Sequence, residues 1–326
     1  MSGISDSFQR PISYLRISVT DRCNLRCTYC MPPEGIALIP HSDVLRYEEI
    51  LSVVRVAAEM GINKVRLSGG EPLARAGLVD LVRMLSEVRE IEDLSLTTNG
   101  VLLKDQAAAL KDAGLKRVNV SLDSLRRQRF KEITGHDRLP DVMEGIKEAG
   151  RVGLAPIKVN VVVMRGLNED ELLDFARFTM DGWNVRFIEL MPILGKGVRQ
   201  PEFVSAKEMW ETLSSLGALQ PCSPLAGSGP ASYYRLAGAK GTIGFITPVS
   251  DHFCFKCNRL RLTADGKLLP CLLESGEIDL RSALRTGASS EDIRQLILKA
   301  VASKPEGHRV SQGVVNQKRP MTQVGG

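Results

Sequence analysis

Strand-like apolar runs alternate along the chain with stretches whose apolar residues recur at helical spacing. The strand-like runs fall at residues 15–19 (LRISV), 64–68 (KVRLS), 94–98 (LSLTT), 117–122 (RVNVSL), 157–163 (IKVNVVV) and 185–191 (VRFIELM). Helical spacing covers 47–60, 78–88, 106–113, 124–133, 141–151 and 172–180, with Gly61 and Gly114 as stop signals and Asn99-Gly100 as a turn. Six strand–helix units predict a parallel sheet with right-handed crossovers. Six is short of the eight strands of a closed barrel, so the expected fold is an incomplete (β/α)6 TIM-type barrel. Polar or special residues gather at strand C-termini: Thr20-Asp21-Arg22, Ser68-Gly69-Gly70, Thr97-Thr98-Asn99, Ser121 and Glu189 to Met191. In such folds the site lies at that end of the sheet.

After Pro192 the rhythm breaks. A helix over 205–216 leads into a Pro/Gly/Ser-rich linker at 221–230, then to the short β-like pieces YYRL and TIGFI, a helix over 290–302 and a basic tail ending in two glycines. This divides the chain into an expected barrel, 1–220, and a C-terminal region, 221–326. No stretch is apolar enough to cross a bilayer, and MSGISDSFQRPISYLR lacks the apolar centre of a signal peptide. The expected location is therefore cytoplasmic, away from the membrane. A net charge of +5 favours an anionic ligand but is too small to imply nucleic acid.

Seven cysteines in a reducing compartment point to metal rather than disulfides. Cys23, Cys27 and Cys30 form C-x3-C-x2-C directly after the first strand. Cys254, Cys257 and Cys271 form a second triplet, and Cys222 stands alone as a free thiol. Three thiolates on one loop hold three corners of an iron–sulfur cube and leave one iron open to a substrate. A structural zinc site wants four ligands, and the first triplet has no histidine before His41 to supply one. At the second triplet, spacing alone leaves zinc and iron–sulfur both open, since Cys222 or His252 would complete a zinc set. Arg259 and Arg261 beside it suit phosphate or carboxylate groups.

The first triplet, with Tyr29 before its last cysteine, resembles the signature of the radical S-adenosylmethionine (SAM) superfamily. Ser68-Gly69-Gly70-Glu71-Pro72 resembles the segment that binds the SAM amino group there: glycines let backbone approach, and Glu71 accepts from an ammonium. LRISVTDRCNLRCTYCMP, VRLSGGEPL, LTTNG, VNVSLDSL, IKVNVVVMRGLN, VRFIELMP, CFKCNRLRLTADGKLLPCL and the terminal Gly-Gly are similar to the GTP 3′,8-cyclase family of molybdenum cofactor biosynthesis. The family end pattern is M-x-x-IGG; this chain ends MTQVGG, with Val324 in place of isoleucine.

The resemblance implies two 4Fe–4S clusters. Cys23, Cys27 and Cys30 would hold the SAM cluster, and Cys254, Cys257 and Cys271 the second, whose open iron binds the guanine base. Tyr29, Gly70, Ser121 and Met191 would contact SAM. Arg16, Arg66, Thr97, Lys158, Arg259, Leu260 (through its backbone) and Arg261 would contact GTP, with Lys64 and Arg186 as further basic candidates. Gly325 and Gly326 would reach into the site and be needed for catalysis, with Arg309, Lys318 and Arg319 of the tail adding to a basic lining. The implied reaction takes the 3′ ribose hydrogen of GTP and closes carbon 3′ onto carbon 8, giving 3′,8-cyclo-7,8-dihydro-GTP. Implied partners are GTP, an electron donor such as flavodoxin or ferredoxin, and a downstream cyclic pyranopterin monophosphate synthase that receives the product; a homodimer is one assembly open to it. Two alternatives remain at this level: a radical SAM enzyme that modifies a peptide, and a zinc-ribbon interaction module.

Overall fold

The strands of the six repeats lie side by side in chain order: β1 (Tyr14–Ser18), β2 (Lys64–Ser68), β3 (Asp93–Thr98), β4 (Arg117–Ser121), β5 (Lys158–Val163) and β6 (Asn184–Glu189). Every neighbouring pair is parallel. The computed structural model describes residues 3–32, 34–192, 202–226, 229–310 and 314–325; Gly326 lies outside them.

Beyond β6 come β7 (Leu219–Pro221), β8 (Ser232–Leu236), β9 (Thr242–Ile246), β10 (Arg259–Leu262), β11 (Lys267–Leu269) and β12 (Ile278–Asp279). Two of them enlarge the barrel, which the six repeats alone do not predict. β9 pairs parallel with β6, and β10 pairs parallel with β1 at the opposite edge. Antiparallel strands β8–β7 and β11–β12 continue the two ends, giving the order β12-β11-β10-β1-β2-β3-β4-β5-β6-β9-β8-β7. The terminal strands are not paired with each other, so the sheet is an open barrel.

Successive side chains on a strand face opposite ways. On one face, Leu15, Ile17, Val65, Leu67, Leu94, Leu96, Val118, Val120, Val159, Val161, Val185 and Phe187 join helix residues such as Val53, Leu81, Leu110 and Phe175 in one apolar core. Fully burying each such side chain contributes about 1.5–3 kcal/mol. The intervening positions form the other, inner face and are mostly polar: Arg16 and Ser18, Arg66 and Ser68, Ser95 and Thr97, Arg117, Asn119 and Ser121, Lys158 and Asn160, then Arg186. Hydrophobic burial outside therefore fixes the register that aims the cations inside.

Candidate active site

The loop bearing Cys23, Cys27 and Cys30 leaves β1 and is laced to the loop after β2 by backbone bonds. Val19 N donates to Ser68 O at 2.9 Å, Gly70 N to Thr20 O at 2.7 Å, and Glu71 N to Arg22 O at 2.8 Å. A Cβ on Gly70 would stand 2.4 Å from the Arg22 carbonyl oxygen, and one on Gly69 2.5 Å from that of Thr20. The glycines thus admit the neighbouring backbone. Glu71 corrects the expectation drawn from its motif. Its buried carboxylate accepts from Leu73 N, Thr98 Oγ1 and Asn99 N, which ties the loop to the end of β3. Burial raises its pKa to about 7 against those bonds. It supports the cysteine loop through both of its oxygens.

Cys23 Sγ accepts from Leu25 N at 3.4 Å and Asn99 Nδ2 at 3.8 Å. Burial pushes the Cys23 thiol up to about 11, with Glu71 adding to the rise. Cys27 and Cys30 are raised further, by burial first and then by neighbouring thiols and Asp123. The three sulfurs thus lie close enough to oppose one another's ionisation, as ligands of one polynuclear cluster must. Among the described residues no three His, Cys, Asp or Glu side chains crowd around a point as a single ion requires. A cube does not require it, because its corners hold separate irons.

Tyr29 donates from Oη to Asp123 Oδ2 at 2.7 Å, and Val162 N donates to Asp123 Oδ1 at 2.9 Å. Asp123 is buried and its pKa rises to about 6 for that reason. Its role was missed in the sequence, where it stands two residues past Ser121 inside the quoted VNVSLDSL run. It locks Tyr29 between the ends of β4 and β5. Ser121 lies half-buried at the end of β4. Met191 packs in a small apolar cluster with Leu273, Val310 and Cys271, while its neighbour Leu190 belongs to the cluster against which Tyr29 packs.

The inner-face cations converge. Arg16 is in register with Arg66 on one side and Arg261 on the other. Burial, then repulsion from Arg261, lowers the Arg16 pKa. Burial also lowers Arg66, and takes Arg186 and Arg261 down to about 10. Lys158, only 1 % exposed, falls to about 6 through burial and the fields of Arg186, Arg117 and Arg66. Its Nζ donates to Ala226 O at 2.6 Å and lies 5.8 Å from the Tyr233 ring centroid. Thr97 accepts from Asn119 Nδ2 at 3.3 Å. Arg117, unmarked by any motif, is bound through Nε to Asp93 at 3.0 Å. Among the described residues, Arg117 Nη1, Asn119 Oδ1, Asn160 Oδ1 and Arg186 Nε are buried without a hydrogen-bond partner. Orphaned polar atoms beside crowded cations are costly, and a polyanionic ligand with polar edges removes both costs.

Leu260 departs from this company on its side chain, which is fully buried in the outer apolar core. Only its backbone lies between the two arginines. Lys64 opens β2 and is half-buried. Arg259 places its guanidinium 5.1 Å from the Phe253 ring centroid.

Cys254, Cys257 and Cys271 also sit together, from the turn before β10 and the segment after β11. Cys254 O accepts from Cys257 N at 3.0 Å. The Cys254 thiol is raised by burial and by Cys271 and Cys257. Burial opposes ionisation of Cys257 too, yet Arg259 and Lys304 draw it down to about 7. Cys222 lies away from both triplets, on the β7–β8 hairpin, where its N donates to Tyr233 O at 3.0 Å.

The tail enters between these groups. A short helix, Met321–Val324, buries Thr322 and Val324, and Gly325 follows at φ +79°. The Gly325 carbonyl accepts from Ser68 Oγ at 3.1 Å and Arg261 Nη1 at 3.3 Å, and Arg261 also reaches Val324 O at 3.2 Å. Arg319 does not join a free basic lining. It is clamped by Asp265 and Glu277 and anchors the tail instead.

The family model for the Radical SAM superfamily matches residues 17–179, and that for Molybdenum Cofactor Synthesis C matches 183–310. The chain is 53 % identical to the GTP 3′,8-cyclase of Pelotomaculum thermopropionicum over 99 % of its own length and 100 % of the relative's. It is 50 % identical, with the same coverages, to that of Moorella thermoacetica. Streptococcus suis SuiB bound to precursor peptide SuiA superposes with a TM-score of 0.63 at 15 % identity, covering 93 % of this chain and 68 % of that one. Native anSMEcpe with bound AdoMet gives 0.58 at 15 %, covering 93 % and 82 %. At that identity these two structures are likenesses of fold.

Proposed function

The chain belongs to the GTP 3′,8-cyclase family of the radical SAM superfamily, and from that membership we propose how its residues divide the work. The enzyme is a radical SAM lyase that cyclises GTP to 3′,8-cyclo-7,8-dihydro-GTP, the first step of molybdenum cofactor biosynthesis, with two 4Fe–4S clusters and SAM. The SAM cluster supplies, when bound, the reductive cleavage of SAM that yields the hydrogen-abstracting 5′-deoxyadenosyl radical.

Cys23, Cys27 and Cys30 would hold that cluster. Gly70 would present backbone to SAM, with Ser121 and Tyr29, the latter steadied by Asp123. Met191 would close the site from the side of the second triplet. Cys254, Cys257 and Cys271 would hold the second cluster against the guanine. Arg16, Arg66, Lys158, Arg186, Arg259 and Arg261 would neutralise the triphosphate, Thr97 would hydrogen-bond to the nucleotide, and backbone at Leu260 would complete the cradle. Gly325 would line the site beside Ser68 and Arg261, and Gly326, outside the described residues, would be needed with it for the reaction. The observation that carries this assignment is the buried cation set on one inner face, for which a triphosphate is the fitting counter-charge.

On this reading the partners are GTP, a single-electron donor of the flavodoxin or ferredoxin kind, and a downstream cyclic pyranopterin monophosphate synthase; a homodimer is compatible with it. Among the described residues no helix is long and apolar enough to cross a membrane, and the proposed location is the cytoplasm. The direct test is anaerobic incubation with GTP, SAM and a reductant, followed by mass analysis. Equimolar 5′-deoxyadenosine and cyclised nucleotide are expected; 5′-deoxyadenosine alone, with all cations intact, would sink the assignment of GTP to this face.

A further inference from the structure

Lys304 is buried, only 4 % exposed, and has no carboxylate partner among the hydrogen bonds and ion pairs of the described residues. It follows the helix Ser290–Ala302 and turns inward. Its Nζ donates to Arg259 O at 2.8 Å and to Pro270 O at 2.7 Å. These carbonyls flank the second triplet: Arg259 is two residues past Cys257, and Pro270 immediately precedes Cys271. Burial lowers the Lys304 pKa, and the neighbouring Cys257 and Cys271 thiols oppose that fall. Arg10 does the matching work on the third limb, donating to Cys254 O at 2.8 Å and Glu306 O at 2.7 Å.

We propose that Lys304 is a positioning residue for the second cluster: it staples the Cys257 and Cys271 limbs together and sets the cluster's reduction potential with its buried charge. Two backbone carbonyls would be satisfied by a neutral donor. A buried ammonium is an expensive way to satisfy them unless a negative charge sits nearby. A cluster held by thiolates is that charge, and it grows by one when an external low-potential donor delivers one electron; no bond forms or breaks. A cation and an N–H at a cluster sulfur favour the reduced state.

The proposal rests on the ligand assignment made above, and the two fail differently. If Cys254, Cys257 and Cys271 hold no cluster, the wild-type protein lacks the second paramagnetic signal on reduction. The test is an anaerobic redox titration followed by electron paramagnetic resonance on the reconstituted wild type, Lys304→Gln and Lys304→Arg. Lys304→Gln is expected to keep both clusters and shift the reduction equilibrium of the second alone at least tenfold toward the oxidised form, which is 59 mV for a one-electron couple. Lys304→Arg is expected to return most of that shift. An unchanged potential in Lys304→Gln overturns the proposal. Loss of the second cluster in Lys304→Gln and Lys304→Arg alike also overturns it, since Lys304→Arg keeps both the charge and the donors.

Discussion

Ser68 donates from its hydroxyl to the carbonyl oxygen of Gly325 at 3.1 Å, joining positions 257 residues apart. Ser68 ends β2 at the edge of the glycine loop, and its hydroxyl also accepts from Arg16 Nε at 3.2 Å. One hydroxyl therefore links the glycine loop, a candidate phosphate ligand and the tail.

Gly325→Ala is expected to uncouple the reaction. A Cβ there would stand 2.6 Å from Ser68 Oγ, at a φ of +79° that side chains resist. The left-handed conformation alone costs about 1–2 kcal/mol for a non-glycine residue, so cyclisation should fall about tenfold or more. Both clusters should remain, and 5′-deoxyadenosine should still form without cyclised product. Full turnover would contradict the tail's role.

Arg261→Ala removes a candidate GTP ligand and the donor to Val324 O and Gly325 O together. Charged hydrogen bonds contribute about 1.5–3 kcal/mol each, so GTP affinity should drop roughly 10- to 100-fold. SAM cleavage without GTP should persist. Calorimetry with GTP on the anaerobic protein measures the loss directly; unchanged affinity would remove Arg261 from the nucleotide site.

Lys158 makes GTP binding pH-dependent. Its pKa in the free protein is about 6, below the ordinary lysine value, because of burial and adjacent arginines. At pH 7.5 it is mostly neutral, and a phosphate beside it restores the ammonium, so binding takes up a proton. GTP affinity should fall as pH rises above about 6, by at most tenfold per pH unit. Titrations in buffers of different ionisation heat should show uptake in the wild type and its loss in Lys158→Met. Equal uptake in both would place the proton elsewhere.

Gly70→Ala targets the lacing of the two loops. Its Cβ would meet the Arg22 carbonyl at 2.4 Å and break the Gly70 N to Thr20 O bond. The cysteine loop should shift and the first cluster be lost, leaving about half the wild-type iron and no SAM cleavage. Iron and sulfide content decide it; a full complement of iron with normal SAM cleavage would show that the loops tolerate separation.

Much of the site was legible because its chemistry is local. Three cysteines within eight residues of one loop, and two glycines after a strand, are ligand and approach patterns whatever surrounds them. Arg16, Arg66, Lys158 and Arg186 stood out as charges inside strands. Glu71 misled because its motif says that it accepts, whereas only packing says from whom. Asp123, Arg117 and Lys304 stood out less, although Arg117 opens the predicted strand 117–122 and Asp123 lies in the VNVSLDSL run. Their partners are Tyr29, Asp93 and the limbs of Cys257 and Cys271, all far away in sequence.

The sequence by itself determined the repeating strand–helix order, the two cysteine triplets and the family, since periodicity and ligand spacing are properties of short segments. Only the tertiary structure decided that β9 and β10 extend the barrel on opposite edges, and that Gly325 returns to Ser68. It also decided that Lys304 joins the limbs of the second triplet and that Asp123 holds Tyr29 of the first triplet's loop. Strand pairing and burial are long-range: a short run such as RLRL carries no mark of its partner, and a charge shows its effect only once its neighbours and its loss of water are in place.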